Sequence, residues 1–315
     1  MLHILGNETI YELLDAPGLV HSSSQISFDD DSLICVWYEG SYETSADTVI
    51  KMAQKSPSGT WSEAHTIIDL KGAPLGNPVL WKTTKDPRIF ITFSVLTAED
   101  WRSSLLFVTS SEDRGKTWKD PTLFLSKLGF MGKTQPIENE YGEIIFPLYH
   151  EADYCPYTYL IKNVDDFLSS ALTAETMARG KAIQPALCTL KNNRILMATR
   201  TRMGYIWKSV SQNAGYSWSI LQPTTLENPD SGIDLFNTDT TTIGVVYNPS
   251  KTSRNSLAVA VSKNDGDTWE PIGELLSGNG EYSYPCVLNH GGNVFSVTYT
   301  ESRYAIRRIT FEVRE

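Results

Sequence analysis

The chain has 315 residues, 41% of them hydrophobic, with 8 Trp and 15 Tyr, and no low-complexity or Pro/Gly/Ser-rich linker interrupts it, so one domain over 1–315 is expected. A formal charge of −10 argues against a nucleic-acid backbone or an anionic membrane as partner, and an acidic ligand would have to be met by locally concentrated cations. Cys35, Cys155, Cys188 and Cys286 lack metal-type spacing and read as small buried hydrophobes, no metal or cofactor is expected, and the amino terminus lacks a leader's basic and apolar regions, which predicts a cytoplasmic chain.

In chain order, Ile4–Leu14 is a strand-like opening without neighbours of its own period. Groups of three strand-like segments follow: Val20–Phe28, Ser32–Tyr38 and Thr48–Gln54; Asn77–Lys82, Arg88–Val95 and Ser104–Thr109; Thr134–Glu138, Glu143–His150 and Tyr157–Lys162. Asp165–Arg179, rich in Ala, Leu, Glu and Met, is the one predicted helix. Three more groups complete the chain: Ile183–Leu190, Arg194–Thr199 and Tyr205–Val210; Ile233–Asn237, Thr242–Tyr247 and Ser256–Val261; Tyr282–Leu288, Asn293–Thr300 and Ala305–Val313.

Three groups end in a common turn. Ser111-Glu112-Asp113-Arg114-Gly115-Lys116-Thr117-Trp118 recurs in looser form as Ser211 to Trp218 and as Ser262 to Trp269. Ser with Asp or Asn can accept hydrogen bonds from turn amides, Gly supplies a positive φ, and Trp can anchor the turn on a neighbouring sheet. Trp218 and Trp269 are 51 residues apart, Trp118 and Trp218 are 100 apart, and Ser58-Gly59-Thr60-Trp61 stands one period earlier. A period of this length with several strands per unit predicts an all-β, six-bladed β-propeller, its ring closed by the amino-terminal strand pairing with Ala305–Val313.

The repeated turn resembles the Asp-box, or BNR repeat, of the sialidase (neuraminidase) superfamily. Gly76-Asn-Pro-Val-Leu, Gln184-Pro, Asn228-Pro-Asp-Ser-Gly-Ile-Asp, Glu281-Tyr-Ser-Tyr-Pro and Tyr299-Thr-Glu-Ser-Arg303 are similar to the bacterial "predicted neuraminidase" group of that superfamily. The resemblance implies that Arg200, following Gln184, and Arg254, in Asn248-Pro-Ser-Lys-Thr-Ser-Arg254, are two arginines of a carboxylate-binding triad, with Arg303 nearby. It implies Tyr282 as nucleophile and Glu43, four residues before Asp47, as acid/base. Paired guanidiniums suit a planar carboxylate, and a neutral tyrosine avoids the repulsion a carboxylate nucleophile would meet there.

Two positions depart from that pattern. His21 stands where the first arginine belongs, and Gln184, which cannot take a proton, where a glutamate normally deprotonates the tyrosine. Glu151 or His150, leaving the third blade, are the candidates to substitute as base. The expected partner is an acidic sugar or glycan, sialic-acid-like or uronic. Three functions fit: a glycosidase; a lyase with His21 or His150 as base and Tyr282 as proton donor; and a non-catalytic carbohydrate-binding propeller.

Overall fold

A computed structural model describes residues 1–13, 17–164, 174–178, 180–238 and 241–314. Six antiparallel sheets follow one another along the chain and form the blades of a β-propeller. Blade 1 is Leu19–Ser27, Leu33–Gly40, Val49–Lys55 and His65–Ile68, and blade 2 is Leu75–Lys82, Ile89–Leu96, Ser104–Ser111 and Thr122–Leu125. In blade 3, Phe130–Gly132 and Ile137–Glu138 both pair with Ile144–His150, followed by Cys155–Ile161 and Ala174–Met177. Blade 4 is Ile183–Thr189, Ile195–Arg200, Tyr205–Ser211 and Gln222–Glu227, and blade 5 is Asp234–Asn237, Ile243–Tyr247, Ser256–Ser262 and Glu270–Ser277. Blade 6 is Tyr282–Asn289, Val294–Glu301 and Ala305–Val313, with Leu2–Glu12 as its outer strand.

That outer strand closes the ring: Leu2 pairs with Val313 and Glu12 with Ala305, so the first segment of the chain covers the edge of the last sheet. Neighbouring blades bury their apolar faces against each other. Ile34, Val36, Leu80 and Ile91 join blades 1 and 2, whereas Ile10, Val20, Trp37 and Ile306 join blades 6 and 1. The repeated turns lie between third and fourth strands. In each, the first Ser hydroxyl accepts from the Gly amide (2.8 Å at Gly115 and Gly215, 2.9 Å at Gly266), and Asp113, Asn213 or Asn264 accepts from the amide four residues on at 2.9 Å. Trp118, Trp218 and Trp269 then pack into the core shared with the preceding blade.

Two expectations need correction. The first strand of blade 3, expected over Thr134–Glu138, is split in two, and Lys133–Pro136 leaves the ladder between the parts because Lys133, Thr134 and Gln135 reach backbone carbonyls of other blades. Of the expected helix Asp165–Arg179, residues 174–177 are a strand paired with Cys155–Ile161, since closing the sheet outweighs local helix propensity; residues 165–173 and 179 lie outside the described residues. The short outer strands went unassigned because they are largely exposed and carry little apolar periodicity, as Glu270–Ser277 does.

Candidate functional site

Because strands alternate in direction, the loops entering the inner strands and those leaving the second strands open on one end of the channel, opposite the repeated turns. Four inner strands carry the same irregularity on that side. A β-bulge interrupts the ladder between His21 and Ser24, Gly76 and Val79, Ile183 and Ala186, and Ser283 and Cys286. At each bulge one non-glycine residue takes a positive φ: Ser22 (56°), Asn77 (47°), Gln184 (51°) and Tyr284 (56°). A bulge re-aims side chains, and the Pro after Asn77, Gln184 and Tyr284 fits a place where no ladder amide is needed.

The re-aimed side chains meet. The Tyr284 hydroxyl accepts from Gln184 Nε2 at 2.9 Å and lies 3.4 Å from Arg200 Nη1, while Gln184 Oε1 accepts from that Nη1 at 3.0 Å. Gln184 Nε2 also reaches the Tyr149 hydroxyl (3.4 Å), to which Asn77 Nδ2 donates at 3.2 Å. The His21 ring lies 4.2 Å from the Tyr284 ring, centroid to centroid; it is 1% exposed, and neither of its nitrogens has a hydrogen-bond partner among the described residues. Burial, and then the charges of Arg303, Arg254, Arg200 and Lys133, push its pKa well below the usual value, so the imidazole is neutral at neutral pH.

Around this centre charges alternate from blade 1 back to blade 4. Arg303 donates to Glu43 and, through Nε, to Glu281 at 3.3 Å. Arg254 Nη1 donates to Glu281 at 3.2 Å and its Nη2 to the Asp230 carbonyl at 2.8 Å. The Asp230 carboxylate accepts from the Tyr154 hydroxyl at 2.8 Å and lies 3.0 Å from Arg200 Nε, whose N–H makes no hydrogen bond among the described residues. Burial works against the charge of Glu281, but Arg303, Ser283 and Arg254 hold its pKa below the usual range. Burial raises the pKa of Glu151 against the pull of Arg200 and Arg202.

Of the residues expected from the sequence, His21, Gln184, Arg200, Arg254, Arg303 and Glu43 are thus linked in one cluster, with Glu151 beside Arg200. Three are placed elsewhere. Tyr282 is buried between blades 5 and 6, with Phe236, Leu257 and Tyr299, because alternation along the strand sends it away from its neighbours Glu281 and Ser283. The His150 ring packs on Phe130 and is held by the Leu128 carbonyl (3.1 Å) and Asp153 (2.9 Å), which ties it to its own blade. Asp47 staples its loop: it accepts from the Ser41 amide (3.1 Å) and hydroxyl and from the Ser45 hydroxyl, and these bonds lower its pKa to about 2. The sequence reading passed over Tyr284, Glu281, Asp230 and Tyr149 as site residues. A signal for Tyr284 was present, since Tyr284-Pro285 repeats the pattern of Asn77-Pro78 and Gln184-Pro185 at the same strand position.

Residues 31–296 match the BNR repeat-like domain. No curated protein matches the chain significantly. Among solved structures the fold is similar to the Hadza microbial sialidase Hz136 (15% identity, TM-score 0.77, covering 94% of this chain and 66% of that one). It is similar over nearly full lengths to a protein of unknown function from Dyadobacter fermentans (13% identity, TM-score 0.81, 99% of both chains) and to the intramolecular trans-sialidase from Ruminococcus gnavus, solved with oseltamivir carboxylate (13% identity, TM-score 0.76, 97% of both). The chain spans just under two thirds of the length of Hz136 and about half, 54%, of the Trypanosoma rangeli sialidase. With the match covering most of its length, six blades in the ring and the repeated turn closing three of them, the chain belongs to the BNR repeat-like family and is a sialidase-like β-propeller.

Proposed function

We propose that the channel mouth binds an acidic sugar, sialic-acid-like or uronic, and hydrolyses its glycosidic bond, with Tyr284 in the role expected of Tyr282. The observation that carries this reading is the Tyr284 hydroxyl facing Gln184 and Arg200, with the guanidiniums of Arg254 and Arg303 on the same charge chain. In this reading the three arginines hold the substrate carboxylate. The Tyr284 oxygen attacks the anomeric carbon as the bond to the leaving oxygen breaks, and Glu43 protonates that oxygen. Two N–H donors hold the phenol oxygen in place, and Gln184 cannot accept the phenol proton. Glu151, whose burial raises its proton affinity, takes that proton. Water, giving a proton to the Glu43 carboxylate, then attacks the anomeric carbon as the bond to Tyr284 breaks, and the departing phenolate takes its proton back from Glu151.

The buried, unpartnered, neutral His21 favours a second reading. There His21 removes a sugar proton next to the carboxylate and Tyr284 protonates the departing oxygen, so that an unsaturated uronate results. The two are separated by incubating the protein with sialosides and with uronic-acid oligosaccharides while following free sugar and ultraviolet absorbance. Saturated sugar that disappears in Tyr284→Phe and Glu43→Gln supports hydrolysis, whereas an absorbing product lost in His21→Ala supports elimination. Binding by calorimetry without any product leaves a carbohydrate-binding propeller. Arg200→Ala and Arg254→Ala should each weaken binding of the acidic sugar by about 2–5 kcal/mol, and unchanged affinity in both would reject the carboxylate site.

A further inference from the structure

Below the mouth lies a charge that the proposed chemistry does not use. Lys133 leaves the split first strand of blade 3 and crosses the channel, 5% exposed, to donate from Nζ to the carbonyls of Ile233 in blade 5 (3.0 Å) and of Pro285 in blade 6. Pro285 directly follows Tyr284, whose φ of 56° is one a tyrosine adopts only when its surroundings impose it. The ammonium also sits 6.0 Å from the centre of the Tyr284 ring. Its neighbours Asp234 and Cys286 come from blades 5 and 6 and Arg200 from blade 4. The Asp234 carboxylate accepts from the Leu235 amide at 3.0 Å and the Val287 amide at 2.8 Å, which anchors it beside the lysine.

We propose that Lys133 is a positioning residue for Tyr284: by clamping the Pro285 carbonyl from below it holds the bulge that aims the phenol into the mouth. Arg200 and Gln184 engage the phenol oxygen from above, with Tyr149, His21 and Tyr38 around it. Burial lowers the proton affinity of Lys133 while Asp234 supports its charge.

The inference rests on Tyr284 being the reacting group, and its test needs no turnover, so it can fail independently of the proposed activity. The ring resonances of Tyr284 are assigned by their loss in Tyr284→Phe and followed in Lys133→Met, which keeps the stem and removes the donor, and in Lys133→Arg, which keeps one. They should shift in Lys133→Met and return towards the parent's positions in Lys133→Arg. In the parent itself the Lys133 Cε protons should show nuclear Overhauser contacts to Pro285 and the Tyr284 ring, and this arm remains decisive if Lys133→Met does not fold. Tyr284 resonances that stay in place in folded Lys133→Met, or the absence of those contacts in the parent, overturn the proposal.

Discussion

At the scale of single residues, the mouth is charge-balanced before any ligand arrives. Arg303 is bonded to Glu43 and Glu281, Arg254 to Glu281, and Arg200 lies against Asp230, so a ligand carboxylate has to take a guanidinium from a protein carboxylate. This predicts opposite effects of one substitution. Glu43→Gln should bind an acidic sugar more tightly, by roughly tenfold, because Arg303 loses a competing anion, while any turnover falls because the carboxyl that the proposed mechanism uses to carry a proton, once the ligand has drawn Arg303 away, is gone. Calorimetry and product assays on the same preparation check it, and weaker binding would show that Glu43 contacts the sugar rather than competing with it. His21 gives a second prediction. Its folded-state pKa lies well below the unfolded value of about 6.5, so below that pH the unfolded chain binds a proton that the folded chain does not. Stability should therefore fall as pH drops beneath about 6.5, with this group contributing up to about 1.4 kcal/mol per pH unit. Denaturant unfolding of His21→Phe, which keeps a ring against Tyr284, should show a shallower decline. An identical slope would place the acid sensitivity elsewhere.

Among the elements, the amino-terminal strand does more than supply ladder hydrogen bonds. Glu8 in its middle receives Lys55 and the Trp61 indole N–H (3.1 Å) from blade 1 and Arg308 (3.1 Å) from blade 6. Burial opposes its charge, but these partners hold its pKa below the usual range, so its contribution is present above the unfolded pKa and is lost on acidification through the folded one. The Arg308 side chain is only 6% exposed, so Glu8→Ala leaves a buried cation without its carboxylate. About 3 kcal/mol of stability should be lost at neutral pH, measured by urea unfolding. A loss within about 0.5 kcal/mol would mean that the strand closes the ring through its backbone alone.

For the whole molecule, every blade buries its apolar faces against two neighbours, and the outer strand of blade 6 comes from the opposite end of the chain. We expect the ring to unfold as one cooperative unit, with calorimetric and van't Hoff enthalpies equal. Two resolved transitions would divide the chain. The same geometry brings arginines of blades 4, 5 and 6 to one end of the channel of a protein of charge −10, where each is paired with a protein carboxylate that the proposed acidic ligand would displace.

The six-bladed ring was legible in the sequence because it rests on local chemistry repeated at a fixed interval. The Ser, Asp or Asn, Gly and Trp of each turn satisfy their own amides, and an unpartnered first strand leaves a sheet edge to be covered. The arginines and Glu43 were legible too, since loops entering and leaving inner strands have to converge. Which tyrosine faces the mouth was not. Tyr282 and Tyr284 are two residues apart, and regular alternation would put them on one face of the strand; a bulge after Ser283 separates them, burying one and presenting the other. His150 and Asp47 have side chains suited to catalysis, but nearby donors and acceptors, which only the fold brings into place, had already engaged them. The sequence alone determined the architecture because strand period and turn chemistry are local; tertiary structure decided which tyrosine faces the channel mouth because the side of a strand that a residue faces depends on contacts between blades.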